Sequence, residues 1–63
     1  MQLTDLKLLD YIGDGVYVGF DGYHIWLVTY NGINITNEVA LEQPVLTSFI
    51  GWLERNKDNL AHD

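Results

Sequence analysis

The fold is decided by Val16-Tyr17-Val18-Gly19-Phe20, followed by Asp21-Gly22 and then by Tyr23-His24-Ile25-Trp26-Leu27-Val28-Thr29-Tyr30. Most residues on either side of Asp21-Gly22 are β-branched or aromatic, which is typical of strands. Asp-Gly favours a two-residue type I′ turn, because both central residues of that turn need positive φ. The stretch therefore predicts a β-hairpin.

A two-residue turn also predicts which residues face each other across the hairpin. On one face the pairs are Phe20 with Tyr23, Val18 with Ile25, and Val16 with Leu27. On the other face they are Gly19 with His24 and Tyr17 with Trp26. Because Gly19 has no side chain, the His24 or Trp26 ring could lie over its backbone.

A second turn signal, Asn31-Gly32, follows the hairpin directly. It predicts two further cross-strand pairs, Tyr30 with Ile33 and Val28 with Ile35. Asn37-Glu38 is expected to interrupt this third strand. Residues 39–41 then form either a separate fourth strand or a bulged continuation, so the result is a meander of three to four strands.

The two ends of the chain give helical signals of different quality. In residues 1–13, Thr4-Asp5 could cap a helical turn, although Leu6 and Leu8 could equally begin a strand; the helical turn is favoured. Pro44 suits the start of a helix, since its missing N–H costs no hydrogen bond there. A helix is expected over residues 44–58, with a frayed tail at 61–63. Its apolar stripe consists of Val45, Leu46, Phe49, Ile50, Leu53 and Leu60, with Trp52 at the edge.

These elements predict one α+β domain over residues 1–63, made of an N-terminal segment (1–13), an antiparallel β-meander (14–41) and a C-terminal helix packed on one face. One helix covers only one face of a sheet, yet both faces are apolar. One carries Val16, Val18, Phe20, Tyr23, Ile25 and Leu27. The other carries Tyr17, Trp26, Val28, Tyr30, Ile33 and Ile35. The uncovered face is expected to need a partner.

Composition excludes several functional classes. The chain has 63 residues and no cysteine, so a disulfide framework and a thiolate metal site are excluded. Nine acidic residues against three basic ones give a net charge of −6, which argues against direct binding of nucleic acid. No apolar run is long enough to span a membrane. A domain this small is marginal alone, so a homo-oligomer, with a dimer favoured, is expected.

No pattern indicates catalysis, a metal site or a cofactor. The only serine is Ser48 and the two histidines are His24 and His62, which do not form a recognisable triad. The glycines at positions 13, 15 and 19 do not match a phosphate-binding loop. The chain is therefore expected to be non-enzymatic.

Two groups of residues are candidate contact surfaces. The first is aromatic, and it consists of Tyr17, His24, Trp26 and Tyr30. It is either plain core or a hot spot for a protein partner or a planar ligand. The second lies on the helix and consists of Thr47, Ser48, Gly51 and Trp52. Glycine within a helix is unfavourable, so close approach of another chain is one explanation for Gly51, and neutral drift is the other.

The run Gly13-Asp14-Gly15-Val16-Tyr17-Val18, then Phe20-Asp21-Gly22-Tyr23, then Ile25 and Leu27, resembles small uncharacterised proteins of tailed bacteriophages. The resemblance extends over most of residues 11–55 and implies a phage or prophage origin and a host bacterial cytoplasm. It implies no activity and no functional residue.

The favoured hypothesis is an inhibitor that binds a host protein, such as a component of a defence system, through the aromatic sheet face and an acidic rim. The alternative is an oligomeric sponge for a small ligand or nucleotide signal, with Tyr17, Trp26 and Tyr30 stacking the base.

Overall fold

A computed structural model describes residues 1–60 of the chain. A 3₁₀ turn, Leu3–Asp5, precedes a four-stranded antiparallel sheet, and a single helix follows it. The strands lie in chain order and are β1 (Lys7–Gly13), β2 (Val16–Phe20), β3 (Ile25–Tyr30) and β4 (Ile35–Leu41), and the helix is α1 (Gln43–Leu60). The predicted α+β class, with a β-meander and a C-terminal helix, is confirmed. The tail at 61–63, with His62, lies outside the described residues.

The β2–β3 and β3–β4 connections are built in the same way. Each is a four-residue loop that starts with an Asx-Gly pair: Asp21–His24 and Asn31–Asn34. In each loop, the Asx Oδ1 accepts hydrogen bonds of 2.7–2.8 Å from the backbone N–H groups of the third and fourth residues. The Asx N–H donates to the carbonyl of the fourth residue. Gly22 and Gly32 supply positive φ values of 103° and 93°.

The prediction of two-residue turns at Asp21-Gly22 and at Asn31-Gly32 is therefore wrong, because the side-chain caps close loops of four residues. In the first loop the register moves by two residues, so Phe20 pairs with Ile25 rather than Tyr23. A shift of two leaves each strand residue on its predicted face. The two-residue turn occurs instead at Asp14-Gly15, with φ values of 53° and 79°, and it joins β1 to β2.

The β3–β4 register also differs from the prediction. Tyr30 pairs with Ile35 rather than Ile33 because the loop has four residues. An irregularity between Thr29 and Tyr30 then shifts the register by one more residue, so Val28 pairs with Glu38 rather than Ile35. β4 runs through Asn37-Glu38 without the expected interruption. The strand lies at the edge of the sheet, where polar side chains at these positions remain exposed.

The N-terminal segment is mostly a strand, whereas a helical turn was the favoured prediction. The helical turn is confined to Leu3–Asp5, and residues 7–13 pair with β2. This strand contains two register shifts, and Leu8 has a positive φ of 54°. Such bulges disrupt the two-residue alternation of a strand, so the sequence pattern does not reveal it.

The core lies between the N-terminal segment and one face of the sheet. We call this the aromatic face; it carries Tyr17, Gly19, Trp26, Val28 and Tyr30. Val28 is fully buried, and Leu6 is the other buried apolar side chain among the described residues. A Cβ at Gly19 would lie 2.7 Å from the Leu6 Cβ. The space above Gly19 is therefore occupied by Leu6, and not by the His24 or Trp26 ring.

The helix does not pack across a face of the sheet as predicted. None of its described residues is buried, and it makes no extensive contact with any strand. The large side chains of its apolar stripe are 39–52% exposed; they are Val45, Phe49, Ile50, Trp52, Leu53 and Leu60. Only Glu42 separates β4 from α1. A connection that returns a helix to its own sheet usually has about two to six residues.

Candidate binding surface

Three tyrosines pack together at one end of the aromatic face, and we call them the tyrosine cluster: Tyr11, Tyr17 and Tyr30. The Tyr17 ring centroid lies 5.0 Å from that of Tyr11 and 6.1 Å from that of Tyr30, and the second pair is nearly perpendicular. Aromatic pairs at these distances attract each other through their quadrupoles. Tyr11 is 60% exposed on the edge strand β1, so the cluster presents an aromatic surface to solvent.

The strand pairing around Gly15 positions this cluster. The N–H of Gly15 donates to the Tyr11 hydroxyl at 3.1 Å, and the N–H of Tyr30 donates to the Gly15 carbonyl at 2.8 Å. Tyr11 also lies directly opposite Tyr17 in the β1–β2 register. Tyr11 is absent from the site predicted from the sequence, because a helical turn is favoured there over a strand for residues 1–13. The signal that could have found it is Asp14-Gly15: a two-residue type I′ turn at these residues pairs Gly13 with Val16 and brings Tyr11 opposite Tyr17.

Trp26 is at the other end of β3, and His24 is the last residue of the adjoining β2–β3 loop. The Trp26 indole N–H donates to Asp21 Oδ2 at 2.8 Å, while the other oxygen of Asp21 accepts the backbone N–H groups of Tyr23 and His24. The hydrogen bond from the His24 backbone, then those from the Trp26 indole and the Tyr23 backbone, lower the pKa of Asp21 from 3.8 to about 2. The four predicted aromatic-site residues therefore form two groups, with only Tyr17 and Tyr30 in ring contact.

A groove adjoins the tyrosine cluster where the N-terminal segment passes the β3–β4 loop. Its volume is about 480 Å³, and it is lined by Met1, Gln2, Leu3, Thr4, Tyr30, Ile33, Asn34 and Ile35. The N-terminal wall is held by the Gln2 N–H, which donates to Asp5 Oδ2 at 2.9 Å. The side chains that line the groove are apolar or uncharged and polar, and none is cationic.

Three carboxylates lie on elements that flank the strands of the tyrosine cluster. Glu38 lies on the aromatic face opposite Val28, Asp14 is in the turn that carries Gly15, and Asp5 caps the N-terminal turn; all three are exposed. The three basic residues are elsewhere in the fold. Lys7 pairs with Phe20 on the opposite face, and Arg55 and Lys57 are on the helix. The surface around the tyrosines is therefore acidic.

The helix residues predicted for an oligomer contact do not form a bare small-residue patch. A Cβ at Gly51 would lie 3.2 Å from the Arg55 guanidinium Nη1, so the side chain one turn later covers this glycine. Thr47 and Ser48 are exposed on the same helix. Trp52 is also exposed, next to the apolar stripe.

Within residues 1–60, no group of three His, Asp or Glu side chains could hold a metal ion, and no helix has both the length and the apolarity to cross a membrane. Comparison with protein-family models, curated proteins and solved structures gives no match. A functional assignment therefore depends on the geometry of this chain itself.

Proposed function

We propose that this chain is a non-enzymatic binding protein of bacteriophage origin that inhibits a host defence protein in the bacterial cytoplasm. The contact surface is the aromatic face at the tyrosine cluster, together with its acidic rim. The observation that carries the proposal is the packing of three tyrosine rings against one another, with Tyr11 60% exposed. Tyrosine dominates binding hot spots because its rigid ring buries a large area at a low entropic cost.

The charge of the chain supports a basic partner. The rim residues Asp5, Asp14 and Glu38 are exposed, and the whole chain has a net charge of −6. Complementary charge accelerates association and disfavours acidic competitors. The host surface that fits is accordingly an apolar patch bordered by lysine or arginine.

Two exposed tyrosines provide a matched experiment. In one variant, a photoreactive phenylalanine analogue replaces Tyr11. In the control variant, the same analogue replaces Tyr23, which is 88% exposed in the β2–β3 loop at the opposite end of the sheet. After irradiation in bacteria that carry phage-defence systems, position 11 should yield an adduct with a defined host protein and position 23 should not. Tyr11→Ser should then weaken binding to that protein by about tenfold or more, while Tyr23→Ser leaves binding unchanged. Equal adducts at both positions would contradict the proposed surface.

The groove beside Tyr30 favours a second candidate function, an oligomeric sponge for a small ligand or nucleotide signal. Its volume of about 480 Å³ is in the range of small-molecule sites. A phosphate would need cations, which several copies of the chain could bring together from Lys7, Arg55 and Lys57. Calorimetric titration with mononucleotides and cyclic nucleotides tests this function, and the absence of heat from every ligand would exclude it for that class.

A further inference from the structure

Two large apolar surfaces of this chain have no partner within the described residues. The first is the sheet face opposite the aromatic face, which we call the open face; it carries Val16, Val18, Phe20, Ile25, Leu27, Val39 and Leu41. The second is the apolar stripe of α1. On the open face Val39 is 54% exposed and the other six residues are half-buried, while every large stripe residue except Leu46 is at least 39% exposed. The stripe and the open face can cover each other, because a helix packs as a layer on the apolar face of a sheet.

We propose that a second copy of this chain covers both surfaces, with the helix of each copy lying across the open face of the other. The connection between β4 and α1 is the single residue Glu42, which is shorter than the two to six residues usual where a helix packs back onto its own sheet. A two-fold dimer satisfies both copies at once, since each contributes one helix and one sheet face. This interface uses the face opposite the tyrosine cluster, so it does not depend on the proposed inhibitory function.

The exposed area of the chain fits this arrangement. A folded monomer of 7.2 kDa exposes about 4,100 Å² by the scaling of surface with mass, whereas this chain exposes 5041 Å². The excess of about 900 Å² is close to the roughly 800 Å² that each partner buries in a standard interface. The radius of gyration is 13.2 Å, compared with about 10.6 Å for a compact domain of this length. The chain is thus more extended than a compact domain of the same length.

The chemistry of the open face also suits a helix of this sequence. Two sets of paired residues cross the middle of this face from β2 to β4. They are Val18, Leu27 and Val39, and Phe20, Ile25 and Leu41, and none of these side chains is charged. The charges next to this face are on the edge strand β1, where Lys7 pairs with Phe20 and Asp10 pairs with Val18. The helix stripe carries one charge, Lys57 near its C-terminal end, which lies 3.9 Å from Glu54, while Arg55 and Asp58 lie on the other side of the helix. The charged groups are therefore at the margins of the two surfaces, and their central residues are apolar.

The first test is the molecular mass in solution, measured by light scattering across a dilution series from millimolar to micromolar. We expect twice the chain mass, and a monomer at every concentration would overturn the proposal. Leu53→Glu places a charge in the centre of the stripe and should raise the dimer dissociation constant by about 30-fold or more. Thr47→Glu adds the same charge on the opposite side of the helix, in the group that the sequence predicts as an oligomer contact, and this proposal expects it to leave the constant unchanged. Equal effects of the two variants would overturn the assignment of the stripe.

A second measurement identifies the surfaces even if Leu53→Glu impairs folding. The native chain has no cysteine, so chains carrying only Leu27→Cys can be mixed with chains carrying only Leu53→Cys. Oxidation should join the two kinds of chain, because β3 of one copy faces α1 of the other. In a single chain with both cysteines, an internal disulfide would show that the helix folds onto its own sheet, and it would overturn the exchange.

Discussion

At the scale of single residues, Asp21 organises more of the structure than any other charged side chain described. One of its oxygens closes the β2–β3 loop and the other holds the Trp26 indole. Asn31 closes the β3–β4 loop with the same backbone bonds but holds no indole. Substitutions at Asp21 and at Asn31 can therefore be compared to measure how much the loop cap and the indole hydrogen bond each contribute to stability.

Asp21→Asn should lower the free energy of unfolding, because an amide that caps the loop through its oxygen has an N–H₂ group facing the indole N–H. Asn31→Asp keeps both acceptor bonds and should change the stability less. The pKa of Asp21 is lowered to about 2 in the folded chain. Its stabilising effect is therefore complete above its ordinary pKa of 3.8 and disappears as the pH falls towards 2. Denaturant unfolding at several pH values should show this loss in the native chain and not in Asp21→Asn.

At the scale of elements, the N-terminal segment and the sheet are joined by the contact of Leu6 with Gly19. Gly19→Ala should destabilise the fold by about 1–3 kcal/mol, since the new Cβ would lie 2.7 Å from the Leu6 Cβ. Leu6→Ala alone should cost at least about 2 kcal/mol through the lost burial. The double variant should cost less than the sum of the two, because Leu6→Ala removes the Cδ1 and Cγ atoms, which would lie 3.0 and 3.2 Å from the new methyl group, and leaves only the Cβ contact. Urea unfolding of the three variants measures this coupling, and strict additivity would contradict the contact.

The elements also show where sequence patterns suffice and where they fail. Alternation and Asx-Gly pairs located β2, β3 and the turns between strands, and Pro44 located the start of α1 within one residue. The loop lengths depended on the Oδ1 caps of Asp21 and Asn31, which the pattern did not distinguish from two-residue turns. β1 was missed because its bulges break the alternation. As a result, Tyr11 was absent from the predicted site, although Tyr17 and Tyr30 were correctly placed on one face.

At the scale of the whole molecule, the net charge of −6 distinguishes the two proposed associations. Two identical copies repel each other at long range, so added salt should tighten the dimer by screening that repulsion. Binding to a basic host protein should weaken under the same change, since the attraction is then screened. Sedimentation equilibrium at low and moderate salt measures the first constant, and titration with the captured host protein measures the second. A dimer that weakens with salt would point to ion pairs across its interface.

In the proposed dimer, the length of the connection at Glu42 determines whether α1 covers the open face of the second copy or that of its own sheet. A flexible insertion of three or four small residues after Glu42 would let α1 reach back over its own open face, with every apolar contact kept but made within one chain. Such an insertion should halve the mass measured by light scattering while preserving the helical content. In evolutionary terms, a short in-frame insertion at one codon boundary would convert the proposed dimer into a monomer, and a deletion would reverse the change.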